Sequence, residues 1–260
     1  MVARASGEEP GLLAREAAGA LAACADDPRA LVMACRRLVE RQPAAGPLWW
    51  LAARVVASPD PETEAWRAAE AIRADVTPLV VADALPDDAV ITVLGWPEQA
   101  SEALRIRGDA RVLVVGSLGE GGALVAALDR AGSDATLVPE AGAGAAVAAS
   151  TLLLLDASAL GPEGFLAVTG SRAAAAVAYT EEIPVWVVAG VGRTLPPRLW
   201  RAMVAQVTAL GDPWDADWEV VPIELATAVV GPAGVQTPAD ALAAAPDCPD
   251  APELAGGGSA

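Results

Sequence analysis

The feature that most constrains this chain is a repeating pattern between positions 89 and 189. Short runs of β-branched and aliphatic residues alternate there with alanine-rich stretches of helical spacing. The runs fall at 89–94, 111–116, 134–138, 151–156 and 185–189. Between them, 98–105, 123–131, 143–149 and 171–179 read as helices. Strands apolar on both faces and separated by helices imply a parallel sheet covered on both sides. Right-handed crossovers then give a doubly wound, Rossmann-like α/β domain, expected over 85–236.

The first third, residues 1–84, reads as a separate helical domain. Leu12, Leu13, Ala17, Ala20, Leu21 and Cys24 recur at helical spacing. Asp27-Pro28 and Asp60-Pro61-Glu62 are helix starts, each with a capping aspartate before a proline. Pro43 ends one helix and Pro47 opens another. The helix begun at Asp60 is expected to run to Asp83 with a bend at Pro78. Residues 237–260, rich in Ala, Pro, Asp and Gly, are expected to form an acidic tail, disordered from about Ala245.

Composition narrows the chemistry. Hydrophobic residues make up 54% of the chain, enough for a core of ordinary size. Seventeen basic residues stand against thirty-four acidic ones, and every basic residue is arginine. Without lysine or histidine there is no lysine Schiff base, Walker lysine, histidine base or histidine-liganded zinc. A net charge of −17 repels phosphate backbones, so nucleic acid is not an expected partner. Cys24, Cys35 and Cys248 form no paired motif and read as two core thiols and one tail thiol. Residues 1–10 turn acidic at once, and the uncharged stretch 141–155 is too short to span a bilayer. A cytoplasmic location is therefore expected, with no membrane partner. No cofactor is indicated.

In a doubly wound sheet the ligand lies beyond the carboxyl ends of the strands. Those ends carry Gly95 and Trp96, Gly116 and Ser117, Glu140, Asp156 and Ser158, and Gly190 to Arg193. Thr169-Gly170-Ser171 precedes a helix, whose first amides suit an anion. Gly95, Gly116, Ser117, Ser158, Gly170 and Ser171 are thus the candidate ligand-binding residues, for a small phosphorylated molecule. Gly119-Glu120-Gly121-Gly122 lacks the spacing of a dinucleotide fingerprint. Asp156 and Glu140, read as lying at neighbouring strand ends, have two readings: an acid/base pair, or carboxylates that cap turns or meet Arg193. The second is the commoner arrangement. Trp96 is positioned to roof a pocket, and most of the eight tryptophans read as core or interface anchors.

Four ordered stretches resemble one known family, the alpha, beta and delta subunits of translation initiation factor 2B. That family also holds 5-methylthioribose-1-phosphate isomerase and ribose-1,5-bisphosphate isomerase. Asp88-Ala89-Val90-Ile91-Thr92-Val93-Leu94-Gly95 is similar to its Asp-Val-Ile-Leu-Thr-His-Cys-Asn strand. Ala135-Thr136-Leu137-Val138-Pro139-Glu140 and the residues to Leu160 resemble its Val-Thr-Leu-Ile-x-Asp segment and the strand after it. Thr169-Gly170-Ser171 and Ile183-Pro184-Val185-Trp186-Val187-Val188-Ala189 resemble its glycine-threonine helix and Val-Pro-Phe-Tyr-Val strand. Trp218-Glu219-Val220-Val221-Pro222-Ile223-Glu224-Leu225 resembles its Phe-Glu-x-Val-Pro-Pro-Glu-Leu-Ile signature. The likeness runs roughly from position 10 to 234 and implies a helical front followed by the Rossmann-like sheet.

The same resemblance puts the isomerases' catalytic cysteine on Leu94, their catalytic aspartate on Ser158 and their phosphate-binding arginine near Leu118. Val168-Thr169 stands where an Asn-Lys pair is usual. Leucine offers neither proton nor nucleophile, and proton transfer alone is worth ~10²–10⁴ in rate. The expectation is a family member without catalytic residues: a binding or regulatory homodimer. The alternative is an aldose-ketose isomerase with a rearranged site at Asp156 or Glu140. Trp200, Trp214 and Trp218, close in sequence, are expected to contribute to an apolar dimer patch.

Overall fold

The computed structural model describes residues 10–243 and 247–255. Five helices come first: α1 (Pro10–Ala22), α2 (Pro28–Arg41), α3 (Gly46–Ala57), α4 (Pro61–Arg73) and α5 (Thr77–Ala84). The aspartate-proline starts behave as expected. Asp27 accepts from the amides of Arg29 and Ala30, and Asp60 from that of Thr63. α3 is apolar almost all round and is the buried axis of the layer, with Leu48, Trp49, Trp50, Leu51 and Val55 inside. The single bent helix expected over 60–83 is two helices. The break comes at Asp75, whose side chain accepts from the amide (2.9 Å) and hydroxyl (2.6 Å) of Thr77 and so starts α5. α5 then packs on α6 (Glu98–Arg107) and on the sheet, so the α/β unit begins at this turn.

The main sheet holds β1 (Val90–Leu94), β2 (Arg111–Val115), β3 (Asp134–Val138), β4 (Leu152–Asp156), β7 (Val185–Val188), β9 (Ala228–Gly231) and β10 (Gly234–Gln236). Their order is β10-β9-β7-β4-β1-β2-β3, and only β10 runs antiparallel to its neighbour. The chain winds outward from β1 to β3, then returns to β4 and winds the other way. The topological switch therefore lies between β1 and β4. Alternate residues feed two cores. Ile91, Val93, Leu152 and Leu154 lie with α5, α6 and α7 (Gly121–Ala131). Leu94, Val115, Leu153 and Leu155 lie with α8 (Ala143–Ala148), α9 (Ser171–Thr180) and α11 (Pro238–Ala243). Where β1 is polar on that side, the Thr92 and Ser150 hydroxyls bond each other at 2.5 Å.

A second, antiparallel sheet was not foreseen: β5 (Ala159–Gly161), β6 (Gly164–Val168) and β8 (Trp218–Pro222). Its strands put alternate residues into different cores. Ala159 and Leu166 join the helical layer, while Leu160, Phe165 and Ala167 join the α/β core. This small sheet joins the two parts. α10 (Pro197–Thr208) also packs into the helical layer, through Leu199, Trp200, Met203 and Val207.

Disorder was expected from about Ala245, but residues 247–255 lie against the helical layer. Cys248, Ala251 and Leu254 are buried there. Arg54 pairs with Asp247 at 2.7 Å while its guanidinium sits 4.8 Å from the Trp50 ring, and Arg36 donates to the Glu253 carbonyl at 2.6 Å. The polar composition misleads because three spaced apolar residues are enough to anchor an extended segment. Residues 1–9, 244–246 and 256–260, which include much of the expected tail, lie outside the described residues. No helix among the described residues is long and apolar enough to cross a membrane.

Candidate functional site

A cleft of about 150 Å³ opens at the carboxyl ends of β1 and β2, beside the start of α9. Leu94, Val115, Ser117, Glu140, Ala143, Thr169 and Gly170 line it. Tight turns build it. Gly95 has φ +62° and Gly170 φ +92°, conformations that suit glycine. Leu118, beside the cleft residue Ser117, takes φ +55° without being glycine, a costly conformation at the place where the resemblance puts an arginine. Ser117 Oγ donates to the Thr169 carbonyl at 2.9 Å, tying the β2 loop to the α9 loop.

Four of the candidate residues gather here. Ser117 and Gly170 line the cleft; Gly95 packs against Ser117, and Gly116 precedes it. Ser171 follows Gly170 and is fully buried, with its hydroxyl unpartnered among the described residues. The α9 amides are not all open to a ligand, because Arg172 N–H donates to the Glu219 carboxylate at 2.9 Å. Among the described residues, no basic side chain lines this cleft.

Ser158 lies elsewhere. It is buried against the helical layer, and its hydroxyl donates to the Ala44 carbonyl. Gly46 belongs to the same contact, since a Cβ there would collide with the Ser158 carbonyl.

Asp156 sits half-buried at the end of β4, its carboxylate turned to the start of α6. Its carboxylate accepts from the amides of Gln99 (2.8 Å) and Ala100 (3.1 Å), so it caps that helix. Burial pushes its carboxyl up to about 6, against the opposing pull of Arg193 and of the two amides. Arg193, itself buried, pairs with Glu98 and donates to the Ala157 carbonyl at 2.8 Å. Asp156 and Glu140 do not meet. β1 and β2 lie between β4 and β3, an offset of ~14 Å at ordinary strand spacing. Reading neighbouring strands in sequence as neighbours in the sheet was the error, because the winding reverses after β3.

Trp96 does not roof this cleft. It lines a larger one of about 480 Å³ beside α6 on the other side of the sheet, with Ile72, Asp75, Pro78, Gln99 and Arg130 among its neighbours. Of the tryptophans expected in a dimer patch, Trp200 is buried and donates to Glu163 at 3.1 Å, while Trp218 is half-buried and Trp214 exposed. The roles of Asp75, Gln99 and Glu219 were missed. Of these only Glu219 carried a signal, its place in the stretch after Trp218.

A helical front layer, a small antiparallel sheet and a doubly wound sheet with a cleft at its strand ends define a class of fold. The described chain has the fold of translation initiation factor 2B subunits. It superposes on the translation initiation factor eIF-2B of Pyrococcus horikoshii OT3 with a TM-score of 0.77 over 92% of this chain and 95% of that one, at 15% identity. The tetrameric eIF2B-beta2-delta2 complex of Chaetomium thermophilum gives 0.73 over 90% and 88%, also at 15% identity. The eIF2B beta subunit of that organism gives 0.65 over 88% and 81%, at 16% identity. The sequence itself matches no family model and no curated protein.

Proposed function

We propose that this chain is a non-catalytic relative of the initiation factor 2B subunits and sugar-phosphate isomerases, acting as a binding or regulatory homodimer. The observation that carries the reading is the composition of the strand-end cleft. At about 150 Å³ it is smaller than the ~300–1,000 Å³ usual for ligand pockets, and Glu140 rather than an arginine lies on its wall. Leu94 sits where the resemblance puts the cysteine, and it lines the cleft. Ser158, where the resemblance puts the aspartate, is held by Ala44. Asp156, two residues before Ser158, is occupied in capping α6. Among the described residues, a phosphorylated sugar there would meet a carboxylate and no cation.

The test is turnover. Purified protein incubated with ribose 1,5-bisphosphate and with 5-methylthioribose 1-phosphate is expected to convert neither. Conversion of either at ~1 s⁻¹ or more, an ordinary enzymatic rate, would defeat the proposal. The isomerase alternative draws support only from Glu140 at the cleft, and it requires Glu140→Gln to abolish any activity found. Light scattering at micromolar concentration is expected to give twice the chain mass; a monomer would remove the dimer from the reading.

A further inference from the structure

Helix α2 sets four of the chain's seventeen basic residues into fourteen positions, against one acid, Glu40. In a chain of net charge −17 it is a basic island. Its two long faces are distinct. Leu31, Cys35 and Val39, four apart, are buried in the helical layer. Arg29, Met33, Arg37 and Arg41, also four apart, are all exposed. Residues at this spacing stack one above the next, so the four form a single outward ridge about 18 Å long. None of them lines either cleft.

The ridge arginines differ from those around the rest of the surface. Arg73, Arg105 and Arg107 are each paired with a carboxylate. Among the described residues Arg29, Arg37 and Arg41 belong to no ion pair, although Glu40 shares their helix. Arg36, beside the ridge, donates to the Glu253 backbone carbonyl, which leaves its charge uncancelled. Met33 stands between Arg29 and Arg37 and is 46% exposed. A flexible apolar side chain among unpaired guanidinium groups suits a partner that brings both carboxylates and an apolar residue.

We propose that the α2 ridge docks an acidic amphipathic helix of a partner protein, with carboxylates on Arg29, Arg37 and Arg41 and an apolar residue on Met33. Charge complementarity selects this occupant. A second copy of the chain, meeting the ridge across a two-fold axis, would set arginine against arginine. A membrane or a nucleic acid extends well beyond the ridge. Within a Debye length of ~8–10 Å it would also face the exposed acids nearby, Asp26 and Asp27 at the start of α2 and Glu253 beside Arg36. A single helix, about 10 Å across, covers the ridge alone.

The probe is a fluorescein-labelled helical peptide, about 15 residues long to span the ridge, with glutamates and one leucine on the same face. Fluorescence anisotropy with the full chain at about 0.1 M salt is expected to show saturable binding, one peptide per chain. The double variant Arg29→Gln/Arg37→Gln is expected to weaken it by about tenfold or more, and Met33→Ala by about threefold. Arg201→Gln, which removes an equal charge from an exposed site on α10, is expected to leave it unchanged. All three ridge positions are exposed, so these variants keep the fold. No saturable binding overturns the proposal, and so does equal binding of the same peptide with glutamines for glutamates. Weakening by Arg201→Gln as large as that by the double variant overturns it too. Tighter binding to phosphatidylserine vesicles or duplex DNA at the same salt would replace the partner helix with a polyanion. A chain mass by light scattering that falls on Arg29→Gln/Arg37→Gln would show that a second copy covers the ridge, and would also overturn the proposal.

Discussion

At the residue scale, Asp156 shows how one carboxylate takes a structural role. Its neutral form is favoured in the folded chain, with the carboxyl pushed up to about 6 against 3.8 ordinarily. The folded state therefore holds this proton more tightly than the unfolded one. The stability it contributes is complete below about pH 4 and is lost as pH rises through about 6. The full swing is about 3 kcal/mol at most. Urea unfolding of the wild type and of Asp156→Asn, compared at acid and neutral pH, is expected to show the variant without this component. Equal pH slopes would count against it. Ser171 makes a second case. Its hydroxyl is buried and unpartnered. Ser171→Ala is expected to raise stability by up to about 1 kcal/mol, read as a higher melting temperature. The thiols follow the same logic, with burial pushing Cys35 and Cys248 up to about 12. Both are expected to resist thiol reagents in the native state.

At the scale of the element, local chemistry and tertiary contact separate cleanly. Asp60→Ala removes a local cap and is expected to lower stability, by less than a buried clash would. Gly161→Ala adds a single methyl, but it would fall inside the Trp200 indole. It is expected to cost about 2 kcal/mol or more, since neither ring nor strand has room to move. Chemical denaturation of both variants checks the order. The cap was visible in the sequence because proline and aspartate act on their own neighbours. The β5–β6 hairpin was not, since two strands of three and five residues carry too little periodicity to stand out. Gly161-Pro162-Glu163-Gly164 is the turn signal that marks it.

For the whole molecule, the segment 247–255 closes the helical layer. Ending the chain at Ala243 is expected to expose the surface under Cys248, Ala251 and Leu254 and to cost roughly 3 kcal/mol. Cys35, in the same cluster, is then expected to react with a thiol reagent that the full chain excludes. Unchanged melting and labelling would show that the segment merely rests on the layer. The same scale decides the cleft. Ser117 and Gly170 are 53 positions apart, and only the winding of the sheet brings them together.

The alternation of strand and helix, the helix starts at Asp27 and Asp60, and the absence of lysine and histidine chemistry were legible from the order of residues. Each of these follows from a residue's own covalent character or from periodicity over a few turns. Tertiary structure alone decided that β1 and β2 separate Asp156 from Glu140, that Ser158 turns to Ala44, and that Trp96 belongs to the other side of the sheet. Those outcomes depend on strand order and on which residues meet across the molecule. Strand order follows from how the layers pack, a condition on the whole chain that no short stretch contains.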